Sequence, residues 1–436
     1  MEITRRRTRP RAPQSALEVN LGRNISGILL FEFTWGLGVP FGLYISIVPA
    51  YLTALGSPKS LMGFVQSLWT ILTPLQLLGG HYFSGRGRVR AIMAFYMTAT
   101  GLRLGYDILA VFVPGMWSGT GLLLFFVIAC VFYVGLIAVG QSIYMGVLTD
   151  NIPRRKRGWI FGLRTLCLGI GGILTGFAAS WVLHHWQSPL NYRVSFLAAD
   201  FLVTLSCLSL LLIRDRPAAD AQPEAPGYFR SLLGKVRILL GNPNYRIFLF
   251  FHMLNSLAGT VATFIIPFAK ETLGVPDGSL AWLSVIFLAS NAALGSLMGR
   301  LADRTGYRSV GMAQSLLMLA FFVVAVTARS FAAVCVAYAL YSLVSMSSIF
   351  VLVNMSVELC PSLGVTDLTA LGGTLLLPAV AIATPLAGTV IDLTGSYPSV
   401  FFIGATVALI ALLGFAFLVR EPRTGRLYVV KQIPMR

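Results

Sequence analysis

Charge is scarce in this chain. Only 11% of its residues are Asp, Glu, Lys or Arg and 56% are hydrophobic, which excludes a soluble globule of this length. Histidine is scarcer still, with four in 436 residues, and the five cysteines (Cys130, Cys167, Cys207, Cys335 and Cys360) show no ligand-like spacing. A disulfide framework and a metal site are therefore not expected, and the cysteines read as small packing residues. The sequence also has no nucleophile–base arrangement and no phosphate-cradling glycine loop. An enzyme is not expected, nor is a cofactor.

What remains is apolar length. Runs of about 20 or more mostly apolar residues, enough to cross the hydrocarbon core of a bilayer, fall near residues 25–54, 60–81, 90–113, 119–149, 159–183, 193–213, 246–270, 279–301, 309–328, 331–357, 367–391 and 398–419. They predict an all-α membrane protein of twelve transmembrane helices, six on each side of a polar hinge. The expected division is a basic tail over 1–24, an N-terminal half over 25–213, a linker over 214–245, a C-terminal half over 246–419 and a tail over 420–436. Within the linker, Tyr228 to Leu240 is amphipathic and is expected to lie along the membrane surface.

The net charge of +17 reports orientation. With both termini cytoplasmic, the outer loops hold only Lys59, Arg193, Lys270 and Arg329, while Arg103 and Arg164 fall inside spans and every other Lys or Arg lies on the inner side. This bias excludes a nucleic-acid role for the basicity. The arginines from Arg5 to Arg11 have no apolar core behind them until Ile25, so they read as a cytoplasmic tail in contact with anionic headgroups.

A short motif repeats at half the chain length. Gly299-Arg-Leu-Ala-Asp303-Arg304-Thr-Gly306-Tyr-Arg308 has a degenerate copy in Gly80-His-Tyr-Phe-Ser84-Gly-Arg86-Gly87-Arg88, each between two apolar runs. Such repetition marks a membrane carrier built from two homologous halves. The pattern resembles the loop signature of the major facilitator superfamily of secondary transporters. A second pairing, Asp150-Asn-Ile-Pro153 with Glu358-Leu-Cys-Pro361, follows the fourth run of each half. The resemblance implies two pseudo-symmetric six-helix halves, a central cavity lined by spans 1, 4, 7 and 10, and alternating access. It also implies a gate in which Asp303 sits near the start of span 11 and Arg304 and Arg308 meet Glu358. Ser84 cannot supply the matching charge in the first half, where Arg88 is expected to meet Asp150.

Ionisable residues at membrane depth are costly, so each is a functional candidate. Glu32 on span 1 is expected to carry a proton or to pair with Arg164 on span 5. Arg103, Asp107 and Asp200, on spans the resemblance makes peripheral, read as a buried structural triad. His252 and Asn255 share a face of span 7 and are expected at the cavity. Trp35, Tyr44, Gln141, Tyr144, Tyr341 and Ser345 complete a mostly apolar cavity without the clustered cations that phosphorylated solutes require.

The expected function is proton-coupled export of a hydrophobic or amphipathic small molecule by an inner-membrane carrier of bacterial type, acting as a monomer in the lipid bilayer. The alternatives are proton-coupled uptake of a small organic solute and a transport-inactive sensor or scaffold. Span 4 lacks the arginine, and span 5 the Gly-Pro pair, that drug/proton antiporters of the superfamily usually carry, which favours uptake over export.

Overall fold

The computed structural model describes residues 20–42, 46–83, 87–113, 119–153, 157–215, 228–363 and 365–422, and every regular element among them is helical. The first passage is α1 (Leu21–Gly42) with α2 (Ile47–Ala54), and the second is α3 (Lys59–Ile71) with α4 (Leu75–Tyr82). Four more follow as α5 (Arg88–Phe112), α6 (Gly119–Asn151), α7 (Arg157–His185) and α8 (Leu190–Cys207). A short helix, α9 (Tyr228–Gly241), precedes the seventh passage, α10 (Pro243–Val261) with α11 (Ile265–Glu271). The last five are α12 (Asp277–Thr305), α13 (Tyr307–Thr327), α14 (Phe331–Leu359), α15 (Val365–Thr394) and α16 (Tyr397–Phe417).

Ten of these passages are long and apolar enough to cross a membrane. The other two, α5 and α12, have 25 and 29 residues, and at about 1.5 Å per residue each exceeds the roughly 30 Å of hydrocarbon. Both carry charge, α5 through Arg103 and Asp107 and α12 through Arg300 and Arg304. Twelve helical passages among the described residues are the result.

Prolines break some passages and spare others. Pro74 and Pro267 sit at interruptions of the second and seventh, where a residue without an N–H leaves a carbonyl unpaired and the chain relaxes into a turn or the 3₁₀ segment Ala262–Phe264. Pro378 and Pro385 stay inside an uninterrupted α15. Close backbone approach explains Gly171 of α7. A Cβ at Gly171 would stand 2.4 Å from the Phe33 carbonyl oxygen, and one at Gly36 would stand 2.3 Å from that of Leu168. Backbone meets backbone between α1 and α7.

One clasp is built twice. At the start of α1, Asn24 donates to the Arg214 carbonyl (3.2 Å) and accepts from the Arg214 N–H (2.8 Å). Near the start of α10, Asn244 donates to the Arg420 carbonyl (2.8 Å) and accepts from the Arg420 N–H (2.9 Å). Each clasp ties the first helix of a half to the chain leaving its last helix, at the end of the molecule rich in arginine. This basic end and the opposite, far end give the fold its polarity.

The apolar packing differs between these ends. Toward the basic end each half has its own cluster, one including Ile28, Tyr96 and Val147 and the other Phe248, Val310 and Met355. Toward the far end a single cluster takes residues from both halves, among them Val48, Tyr51 and Leu183 with Phe264, Leu280 and Tyr338.

Candidate functional site

Glu32 lies at the middle of α1 and is 5% exposed. Its Oε1 is ion-paired with Arg164 Nε of α7 and accepts from the Tyr144 hydroxyl of α6 at 3.0 Å. The Arg164 guanidinium carbon stands 5.4 Å from the Tyr144 ring centre and 5.7 Å from that of Phe161. Aromatic rings wall the pair. Phe31 packs against Trp35 (5.4 Å), Tyr144 (5.2 Å) and Tyr96 (6.1 Å), and the Tyr96 hydroxyl donates to Gln141 Oε1 at 2.9 Å. A carboxylate in such surroundings holds its charge only because a cation and a hydroxyl face it. Arg164 keeps 18% of its side chain exposed against 7% for Glu32, so the open side of the pair is the arginine. The structure thus brings together Glu32, Arg164, Trp35, Gln141 and Tyr144.

It does not bring the C-terminal candidates to the same place. His252 is fully buried, stacked on Phe248 with ring centres 5.5 Å apart, and its Nε2 is 3.4 Å from Ser348 Oγ of α14. Asn255 donates to Ser315 Oγ of α13 at 2.7 Å. The face expected to look into a cavity instead packs inside its own half, because α13 and α14 cover it. Tyr341 is buried against Phe321 and Tyr338, and Ser345 is half-buried on α14. Tyr44 lies outside the described residues.

The repeated motif occupies the basic end. Gly87 and Gly306 turn the chain into α5 and α13 with φ of +82° and +87°, a region glycine enters without strain, which accounts for both motif glycines. Gly80 and Gly299 lie in the helices before those turns. Arg88 Nη1 meets Asp150 at 2.6 Å, as expected, and its other nitrogens take Asp215 in a bidentate pair at 2.7 and 3.0 Å. These carboxylates outweigh burial and raise the arginine above its ordinary range. In the second half, Glu421 accepts from the Arg308 N–H at 2.9 Å, and the Arg308 side chain donates to the Phe415 and Ala416 carbonyls. Arg304 is exposed, Glu358 ends α14, and the Asp303 side chain lies outside the described residues.

The far end holds contacts that sequence reasoning missed. Asp392, near the end of α15, accepts from the Lys59 and Ser60 N–H groups at 2.8 and 2.9 Å, capping α3 from the opposite half. Lys59 pairs with Glu271, which also accepts from the Tyr397 hydroxyl at 2.5 Å. Asp277 accepts from Tyr192 (2.7 Å) and Asn191 (2.9 Å) of α8 and from Lys270 (2.6 Å). Burial alone would raise Asp277, but the hydrogen bonds from Lys270, Tyr192 and Asn191 win and hold it below its ordinary 3.8. Backbones touch here too. A Cβ at Gly388 would lie 2.1 Å from the Lys59 carbonyl oxygen, and one at Gly63 would lie 2.4 Å from that of Thr384. The scarcity of charge in the outer loops was the available signal: Lys59 and Lys270 are two of only four cations placed there.

Ion pairs, hydrogen bonds and shared packing between the halves gather at the far end, while the basic-end clusters stay separate. The molecule is closed at the far end.

The sequence model of the Major Facilitator Superfamily matches residues 248–432. No curated protein matches the chain. Among solved structures, a point variant of the nucleoside transporter NupG aligns at TM-score 0.67 and 15% identity, over 91% of this chain and 100% of that one. The D-xylose-proton symporter aligns at TM-score 0.66 and 15% identity, over 93% and 98%. The fucose:proton symporter FucP of E. coli aligns at TM-score 0.59 and 15% identity, over 90% and 98%.

Proposed function

We propose that this chain is a member of the Major Facilitator Superfamily, whose sequence model matches residues 248–432, and that as a multi-pass membrane transport protein it moves a small neutral solute together with protons. Its basic end faces the cytoplasm of a bacterial cell, following the bias of positive charge, and the present conformation is inward-facing. The solute class is one with hydroxyl groups and a ring. Gln141, Tyr144 and Tyr96 offer hydrogen bonds beside the faces of Trp35 and Phe31, a combination suited to a sugar or nucleoside more than to a hydrophobic drug. Structural neighbours include a nucleoside transporter and xylose and fucose proton symporters, which supports uptake over the export expected from the sequence.

The observation that carries this reading is the Glu32–Arg164 pair with the Tyr144 hydroxyl on it. Protonating Glu32 releases Arg164 and frees the hydroxyl, so solute and proton compete for, or jointly reorganise, one cluster. At one proton per solute, a gradient of one pH unit supplies about 1.36 kcal/mol, an accumulation of about tenfold. Proteoliposomes with an acidic exterior and a panel of pentoses, hexoses and nucleosides test it. Accumulation that follows the imposed gradient is expected. Uptake that is indifferent to pH, or accumulation only against the opposite polarity, would sink symport.

A further inference from the structure

Away from the Glu32 cluster, the N-terminal half buries a second charged group. Arg103 of α5 is 3% exposed, Asp107 one turn along is fully buried and Asp200 of α8 is 3% exposed. Arg103 Nε stands 3.0 Å from Asp200 Oδ2, and the guanidinium carbon is boxed by the rings of Phe126 (5.6 Å), Tyr133 (5.2 Å) and Phe196 (4.9 Å). Among the described residues neither oxygen of Asp107, nor Oδ2 of Asp200, has a hydrogen-bond donor, although the Asp200 carboxyl lies against Asp107. Other titratable neighbours are Cys130 and Tyr133 of α6, Tyr106 of α5 and Tyr51 of α2. All are neutral at physiological pH.

The charge count decides the chemistry. One guanidinium facing two carboxylates leaves a net negative charge in a bundle where an uncompensated ion costs several kcal/mol. Two carboxylates side by side cannot both be ionised cheaply, and the deficit is one donor, which is what both bare oxygens of Asp107 lack. We infer that Asp107 and Asp200 hold one proton between them, so that with Arg103 they form a neutral proton-binding site separate from Glu32. The proton turns a repulsion into a carboxyl–carboxylate hydrogen bond, and the remaining negative charge balances Arg103. Asp107 is fully buried and Asp200 nearly so, so this proton stays through the transport cycle, while the one at Glu32, beside the partly exposed Arg164, exchanges.

Infrared spectroscopy of the full-length protein in lipid at pH 7 tests this through the carbonyl stretch of a protonated carboxyl group. A band that persists in Glu32→Gln and disappears in Asp107→Asn is expected. Asp107→Asn and Asp200→Asn should each fold with near-normal thermal midpoints, since either leaves one carboxylate for Arg103, while the double variant should fail to accumulate in the membrane. No protonated-carboxyl band in the parent protein would overturn the inference. So would a thermal midpoint that rises with added sodium chloride but not with choline chloride, because a metal cation would then be the neutralising group.

Discussion

The two halves share a scaffold and differ in what they bury. Both tie their first helix to the chain after their sixth with the same asparagine clasp, and both bring an arginine at the start of the third helix to an acid just beyond the sixth, Asp215 in one half and Glu421 in the other. At membrane depth they part. The N-terminal half encloses two charged groups, Glu32–Arg164 and Arg103–Asp107–Asp200, whereas the C-terminal half presents His252, Asn255, Ser315 and Ser348 in their place. The shared contacts tie each half together, and the ion pairs buried at membrane depth lie, among the described residues, in one half only. A carrier that rocks two rigid bodies needs a coupling group in just one of them, provided that group's contacts change with the rocking.

The sharpest way to break this comparison is Glu32→Gln. Accumulation driven by a one-unit pH gradient should fall from about tenfold to none, while exchange of labelled for unlabelled solute continues. If Glu32 is only a structural partner, its loss instead strands Arg164, costing about 3–5 kcal/mol, and adding Arg164→Met restores yield and thermal stability without removing accumulation. A folded Glu32→Gln protein that still concentrates solute would place coupling elsewhere.

Next in size is Gly388→Val at the far end. Its Cβ would sit 2.1 Å from the Lys59 carbonyl oxygen, a backbone atom that cannot swing aside, so the halves should be unable to close there. Cysteines placed near Trp282 should gain labelling from the outer face, and net transport should stop. Wild-type labelling in Gly388→Val would mean that the far-end contact is not a gate. The clasps follow. Asn24→Ala and Asn244→Ala each remove two hydrogen bonds, and equal losses of about 1–3 kcal/mol in thermal unfolding are expected. A large effect in one half and none in the other would show that only one is a rigid body.

The scaffold was legible in the sequence, and the sites only partly so. Twelve passages follow from runs of apolar residues, and the duplication follows from a motif whose glycines mark positive-φ turns at Gly87 and Gly306. The Glu32–Arg164 pair was readable because a buried charge needs a partner at the same depth, and few are available. Helix rotation was not readable. His252 and Asn255 sit three residues apart on one face, as read, but a 3.6-residue period does not say whether that face meets the other half or its own neighbours. Nor do loop charges reveal which of them meet across the halves, since Lys59 and Asp392 are joined only by the folded arrangement.

A smaller effect is expected from acid. Asp277 is held below its ordinary 3.8 by its three donors, so its contribution is complete above that value and is lost as pH falls through the lower, folded one. The bond between α8 and α12 should therefore survive down to about pH 4 and loosen below it. Outer-face labelling should rise only in that acid range, and in Asp277→Asn it should be raised at neutral pH already. Labelling in the parent that stays unchanged down to about pH 3 would remove Asp277 from the closure.

The smallest expected effect is the one that most refines the comparison between halves. His252 stands on the first helix of the C-terminal half about where Glu32 stands on that of the N-terminal half, so a symmetric coupling mechanism would need it. Among the described residues its side chain has one hydrogen-bonding neighbour, Ser348 at 3.4 Å, and it is completely buried against Phe248. We expect such an imidazole to pack rather than to exchange protons with either face. His252→Gln keeps a donor and an acceptor in roughly the same volume, so thermal stability should drop by about 1 kcal/mol and pH-driven accumulation should stay within about twofold of the parent. Should His252→Gln abolish accumulation as Glu32→Gln does, while remaining folded and competent for exchange, proton handling would belong to both halves and the asymmetry argued from burial would be wrong.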